Sequence, residues 1–347
     1  MERIITYAEA VREATEQEMA RDPSVVVFGE GAQDPKITYG TTGGLLARFG
    51  SARVFDTPLS EDGMTGAAVG MALAGLRPIH FHQRMDFVLL GMNQIVNIAA
   101  KSRYMYGGAV SVPLVIRCVV GRSWGQGAQH SQGLQSLFMH VPGLKVVAPT
   151  TPYDAKGCLI QSVRDDNPVI FVEHRMLHYL KGHVPAGSYT VPLGRARVLS
   201  SGSDVTLVGI SYMVVECIRA QHQLADVGIS AEVVDPVSLS PLDVDAVVGS
   251  VRKTGRLMVV DNGWTACGVG AEIVAQTVER LQGMPDLRVR RMGFEPVPCP
   301  TTKPLENLFY PNAQRVAAAA YQLVRGEGRW TPPPTEAPEV VEFKGPF

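Results

Sequence analysis

Pro113-Leu114-Val115-Ile116-Arg117-Cys118-Val119-Val120 is a near-continuous apolar run, and the chain leaves it directly into Gly121-Arg122-Ser123-Trp124-Gly125-Gln126-Gly127-Ala128-Gln129-His130-Ser131. Such a run, rich in β-branched residues and closed by glycine, predicts a strand buried on both faces. A polar, glycine-rich loop at its carboxyl end lies where open α/β sheets bind their ligands. The pattern recurs on both sides. Val25-Val26-Val27-Phe28, residues 78–81, Lys145-Val146-Val147-Ala148 and Val169-Ile170-Phe171-Val172 predict further strands, and residues 62–74, 94–106 and 153–164 predict helices. Buried strands separated by helices indicate a mostly parallel sheet.

The rhythm breaks after Glu173. Residues 174–197 carry Gly182, Pro185, Gly187, Pro192 and Gly194 without a sustained period, which predicts a linker, with His174 and His178 solvated at its border. Alternation resumes with strands at 205–208, 231–234, 257–260 and 287–290, helices at 213–226, 244–251 and 268–281, and a last helix within 305–324. The expected fold is α/β with two doubly wound domains, 1–175 and 199–326, joined by a linker at 176–198 and followed by a tail at 327–347. That tail holds Pro332-Pro333-Pro334 and Pro338, and is expected to lie extended on the surface or on a partner.

Of 347 residues, 46% are hydrophobic and 19% charged, and the net charge is −1. Such a balance gives no electrostatic reason to expect nucleic acid or an anionic membrane as partner. No apolar stretch reaches the ~20 residues of a membrane span. Met1-Glu2-Arg3-Ile4-Ile5-Thr6-Tyr7 has neither the apolar run of a signal peptide nor an Arg/Ser-rich transit segment, so a cytoplasmic setting is expected. The five cysteines (118, 158, 217, 267 and 299) are scattered and form no C-x-x-C pair. Four read as small core residues of a protein from a reducing compartment.

Two segments carry candidate chemistry. In Asp56-Thr57-Pro58-Leu59-Ser60-Glu61-Asp62-Gly63-Met64-Thr65-Gly66, Pro58 fixes the backbone before a helix, and Ser60 with Asp62 can cap its start. Either these acids serve the helix dipole alone, or Glu61 is a carboxyl able to share a proton beside an apolar helix. In the loop 121–131, His130 sits where acid–base or anion-binding work is done, though a flexible connection has the same composition. His80 and His82 alternate along a strand and face one side, but two histidines without a third ligand do not make a metal site. Gly268-Val269-Gly270 is a lone G-x-G without the third glycine of a dinucleotide fingerprint.

Taken together, residues 4–325 resemble the β subunits of the thiamine-diphosphate-dependent 2-oxo acid dehydrogenases of pyruvate, branched-chain and acetoin type. The resemblance rests on residues 56–75, 86–108, 121–140, 142–168 and 300–311, in the family's order. It implies a transketolase-like pyrimidine-binding domain followed by a transketolase C-terminal domain, in an α2β2 heterotetramer. It also implies thiamine diphosphate shared across the α–β interface. In such enzymes the α chain grips the diphosphate through magnesium, and the Gly-Asp-Gly motif for that grip is absent from this sequence.

By the same resemblance Glu61 hydrogen-bonds the aminopyrimidine ring, Phe87 packs against it, and Gln83 lines the pocket. His130 faces the substrate and the incoming lipoyl group. Leu114, Ser162, Val163, Asp165 and Asn167 match a structural potassium site built mostly of backbone carbonyls. Arg84 stands where family members carry an apolar residue, and His80 and His82 occupy a strand that is commonly less basic. An added cation there can pair with an anionic or polar group of a substrate. The implied reaction is decarboxylation of a small 2-oxo acid, or cleavage of acetoin, with the acyl group passed to a lipoyl acyltransferase core. A carboligase working without a lipoyl partner, and a non-catalytic scaffold subunit, are the competing readings.

Overall fold

The computed structural model describes residues 3–34, 36, 38–122, 125–326 and 328–334. The chain divides into two compact units, Met1–Gly121 with Leu137–Leu193, and Arg122–Ser136 with Gly194–Phe347.

The first unit contains the strands β1 (Ile4–Thr6), β2 (Val25–Gly29), β3 (Val54–Asp56), β4 (Arg77–His82), β5 (Val115–Val120), β6 (Lys145–Val147), β7 (Val169–His174) and β8 (Lys181–His183). Six of them lie in the order β6-β7-β5-β4-β2-β3, each parallel to its neighbour. Every residue of β2, β5 and β7 is buried, as helices on both faces require. The helices are α1 (Tyr7–Arg21), α2 (Leu45–Phe49), α3 (Glu61–Leu73), α4 (Met85–Val88), α5 (Ala100–Met105) and α7 (Pro152–Arg164), while α6 (Gln135–Met139) begins on the last two residues of the second unit's segment Arg122–Ser136. Thr6 and Glu9 form a reciprocal capping box on α1. Thr151 caps α7, with Pro152 in its first turn.

Three sequence expectations are corrected here. The helix expected at 94–106 is divided, with a π-turn at Gln94–Ala99 before α5. Ser60 occupies the N-cap of α3, yet its hydroxyl makes no capping bond among the described residues. His174 and His178 are buried rather than solvated. A strand ends at His174, and His178 Nε2 lies 3.1 Å from Glu173 Oε2, a buried carboxylate that offsets the cost of burying the ring. The expected linker is pinned at its start, because β8 pairs antiparallel with β1. Buried Lys156 also donates to the carbonyls of Pro185 and Gly187 at 2.7 and 2.8 Å.

The second unit contains β9 (Arg197–Ser200), β10 (Val205–Gly209), β11 (Ala231–Asp235), β12 (Ser238–Ser240), β13 (Arg256–Trp264) and β14 (Arg288–Phe294). Its main sheet runs β14-β13-β10-β11-β9, parallel except for the antiparallel edge strand β9. Its helices are α8 (Met213–Ala225), α9 (Val244–Thr254), α10 (Val269–Arg280), α11 (Lys303–Phe309) and α12 (Ala313–Arg325). The last helix expected within 305–324 is α12; α11 precedes it, and Pro311, which has no N–H to continue α11, lies between them. The tail lies on this unit as far as Pro334: Gln314 and Gln223 donate to the carbonyls of Pro332 and Pro333. Its remainder, with Pro338, falls outside the described residues. Cys118, Cys158, Cys217 and Cys299 are buried, and Cys267 is exposed. Among the described residues, no helix is long and apolar enough to cross a membrane.

Candidate active site

In the first unit the carboxyl ends of three adjacent strands converge. Gly29 of β2 pairs with Asp56 of β3 on one side and Phe81 of β4 on the other. A Cβ at Gly29 would lie 2.1 Å from the Phe81 carbonyl oxygen, so glycine alone lets these strand ends close up. The next residue is Glu30, which the sequence reading missed. Beyond β3 the chain turns at Pro58 into α3, whose first residue is Glu61, half-buried. Burial raises the Glu30 carboxyl above its ordinary range, and the charge and hydrogen bond of Glu61 raise it further. The two carboxyls therefore meet at the sheet's carboxyl edge, where the neighbouring charge disfavours ionisation of Glu30.

Gln83 and Arg84 leave β4 at the same edge. Gln83 Nε2 donates to the Glu30 carbonyl at 3.2 Å. Arg84 Nη1 donates to Tyr39 Oη at 2.8 Å and to the Gln83 carbonyl at 2.6 Å. Tyr39 in turn stacks on His178 at 4.7 Å between centroids. Phe87, half-buried, sits in the short helix α4 that follows. His80 and His82 do share one side of β4, with ring centroids 4.3 Å apart, and His80 stacks on Phe28. Burial lowers His80 to about 4, partly offset by its bond to the Phe28 carbonyl; burial and the charge of His80 hold His82 well below its ordinary value. Both rings are neutral at pH 7.

Beneath this edge, Arg117 of β5 and Glu173 of β7 form a fully buried ion pair that also holds Thr41 and His178. The sequence pattern gave no sign of it, because Arg117 lay inside an apolar run.

The potassium candidates lie at the opposite, amino edge of the same sheet. Leu114 precedes β5, Ser162 and Val163 end α7, and Asp165 and Asn167 precede β7. Here Arg77 Nη1 donates to the carbonyls of Val163 and Asp165 at 3.0 and 3.1 Å. The Leu114 carbonyl accepts from Val169 N. The Asp165 carboxylate binds Lys145 Nζ and Asn167. These carbonyls already serve Arg77 and backbone N–H groups, and each keeps a second lone pair at the negative end of the helix, so they are the groups that would hold a cation here.

His130 belongs to the second unit, half-exposed on the segment 125–136; Ser123 and Trp124 of its loop fall outside the described residues. Gly125 and Gly127 take left-handed conformations against Thr301. The Arg122 guanidinium lies 5.3 Å from the centre of the Tyr310 ring, within the aromatic cluster of Phe294, Phe309 and Trp264.

Two family models match along the chain. Residues 3–179 match the transketolase pyrimidine-binding domain and residues 194–316 the transketolase C-terminal domain. The chain is 45% identical, over 94% of its length and 99% of the relative's, to the acetoin:2,6-dichlorophenolindophenol oxidoreductase subunit beta of Cupriavidus necator. It is 41% identical, over 92% of its length and 98% of the relative's, to the pyruvate dehydrogenase E1 component subunit beta of Rickettsia bellii. Its fold is similar to a split-gene transketolase solved as an inactive beta4 tetramer, with a TM-score of 0.74 at 23% identity, covering 92% of this chain and 98% of that one. With both domains matched and relatives aligned along nearly its whole length, the chain belongs to the β subunits of the thiamine-diphosphate-dependent 2-oxo acid dehydrogenases, acetoin dehydrogenase included.

Proposed function

We propose that this chain, in an α2β2 heterotetramer, holds the aminopyrimidine end of thiamine diphosphate through Glu61 and presents His130 to the substrate and the acyl acceptor. Its domains are residues 1–175 and 199–326, joined at 176–198. The observation that carries the reading is the Glu30–Glu61 pair. A ring nitrogen of modest basicity needs a carboxyl able to hold and return a proton, and burial of Glu30 beside the charge of Glu61 favours a proton held at this edge. Glu61 holds the proton at that nitrogen, Gln83 fixes the Glu30 backbone beside it, and Phe87 offers an aromatic face for the ring. Bound thiamine diphosphate supplies an electron sink for the pair released when the bond beside the substrate carbonyl is cleaved. His130 donates to, or takes a proton from, the substrate oxygen and the incoming lipoyl group.

Magnesium belongs to the diphosphate grip of the α chain, and potassium to the amino edge of the first unit. Arg84 serves the pocket turn through Tyr39, which supports a role in shaping the site. The substrate is a small 2-oxo acid or acetoin, and the acyl group passes to a lipoyl acyltransferase core. Buried thiol cysteines fit a cytoplasmic setting.

The test is co-expression with an α subunit and assay of cofactor-dependent cleavage of pyruvate, branched-chain 2-oxo acids and acetoin, with and without a lipoyl domain. Glu61→Ala should abolish turnover, and acyl transfer should require the lipoyl domain. Full turnover in Glu61→Ala rejects the assignment of Glu61. Carbon–carbon coupling without the lipoyl domain would establish the carboligase instead.

A further inference from the structure

The segment that carries His130 is held on both sides by its own unit. Before it, a Cβ at Gly125 would lie 2.5 Å from the Thr301 carbonyl oxygen, and one at Gly127 would lie 2.7 Å from the Thr301 methyl. After it, Gly133 lies so close to β13 that a Cβ would come within 1.8 Å of the Asn262 carbonyl oxygen. Two residues further, Gln135 Nε2 donates to Asp261 Oδ1 at 3.0 Å and to the Asn262 carbonyl at 3.3 Å. The other oxygen of Asp261 accepts from the backbone N–H of Gly270, in the first turn of the twelve-residue helix α10. Gln135, Asp261 and Asn262 are all buried.

One carboxyl thus joins a helix N-terminus, the strand β13 and the histidine-bearing segment. Burial pushes the Asp261 carboxyl up to about 6, against the hydrogen bonds from Gly270, Gln135 and other backbone groups that pull it down. A carboxyl kept in such a place is disfavoured by its own desolvation. Its geometry is that of an anchor, since both oxygens are engaged and neither faces solvent.

We propose that Gln135 and Asp261 are positioning residues for His130: their buried hydrogen bond, seated on the N-terminus of α10, fixes the segment from which the imidazole projects. This rests on the reading of His130 as the substrate-facing group, and it places a determinant of that site in β13 of the C-terminal domain. The pair never touches substrate, so its effect belongs in kcat and in the environment of His130 rather than in cofactor binding.

The experiment uses the α2β2 holoenzyme. Gln135→Met keeps length and volume while removing the donor; Asp261→Asn is the second variant, and the double variant closes the cycle. The expected result is a fall in kcat of at least tenfold in each single variant, with the double variant no worse than the poorer single. KM for thiamine diphosphate should stay within twofold. Carbethoxylation of His130 by diethyl pyrocarbonate, followed by peptide mass spectrometry, should change at least threefold in rate. Unchanged kcat and unchanged labelling in both variants would overturn the proposal. His130→Ala tests the underlying reading separately. If it retains turnover, the role given to His130 fails, while the labelling rates still decide whether the pair positions the ring.

Discussion

Arg117 and Glu173 meet as a bidentate pair between adjacent parallel strands, Nε to Oε1 at 2.7 Å and Nη2 to Oε2 at 3.0 Å, and neither side chain has any exposed surface. The Arg117 guanidinium also donates to Thr41 and lies 5.3 Å from the centre of the Phe81 ring. Through His178 and Tyr39 the same carboxylate reaches Arg84 at the pocket turn. A buried charge that loses its partner is strongly penalised, so Arg117→Met should cost about 3–5 kcal/mol. Thermal unfolding of the assembled enzyme checks this; a loss of only a degree or two would mean that the pair is dispensable. Burial alone would raise Glu173, but the charge of Arg117 and the bonds from His178 and Arg117 hold it down at about 2. A depressed carboxylate contributes stability that is present above its unfolded value of 4.5 and is lost as pH falls toward 2.

His80 and His82 give a second, higher window of acid sensitivity. Above about pH 6.5 both imidazoles are neutral, folded or unfolded, and cost nothing. Below that the unfolded chain takes up protons that the buried rings refuse, until about pH 4 for His80. Stability is therefore lost as pH falls through that interval, on the order of 3 kcal/mol for a shift of that size. The melting temperature should fall between pH 7.5 and 5, and fall less in His80→Phe, which keeps a ring to stack on Phe28. Equal slopes for the two proteins would refute the assignment.

Both windows show what the sequence could and could not convey. The strands were legible because β2, β5 and β7 are buried on both faces and so carry uninterrupted apolar runs. Glu61 and His130 stood out as candidates because loops after such strands carry polar groups where open α/β sheets bind ligands. Glu30 was not: one glutamate in a Gly-Glu-Gly turn gains its meaning only when parallel pairing sets it beside the start of α3. His174 and His178 followed a strand into a glycine-rich stretch, which looks solvated until Glu173 is known to be buried beneath them. The π-turn at Gln94–Ala99 keeps an apolar spacing indistinguishable from an ordinary helix.

At the amino edge, the carbonyls of Ser162, Val163 and Asp165 gather at the C-terminus of α7, the negative end of its dipole. Arg77 already donates to two of them. Potassium, if it binds there as proposed, would stabilise by mass action, about 2.7 kcal/mol at a concentration a hundred times Kd. Exchanging potassium chloride for choline chloride at constant ionic strength should lower the melting temperature by several degrees. Identical melts in the two salts would remove potassium from this site.

The last test separates chemistry from architecture at the carboxyl edge. Glu30 is raised by burial and by Glu61, so in the folded enzyme its ionised form is disfavoured. The sign follows: below its unfolded value the carboxyl is neutral in both states, and above it the folded protein loses stability relative to the unfolded chain. Glu30→Gln removes that cost, and the melting temperature at pH 7.5 should stay level or rise. Turnover should move the other way. Gln at this position cannot share a proton with Glu61, and loss of one proton-transfer partner is worth about a hundredfold or more. A stable, assembled Glu30→Gln enzyme with kcat reduced on that scale is the expected result. Full activity would show that Glu61 works alone and that the pair is only a packing consequence of Gly29. A joint loss of stability and activity would assign Glu30 to the fold, because a structural carboxylate, unlike a strained one, is missed when it is neutralised.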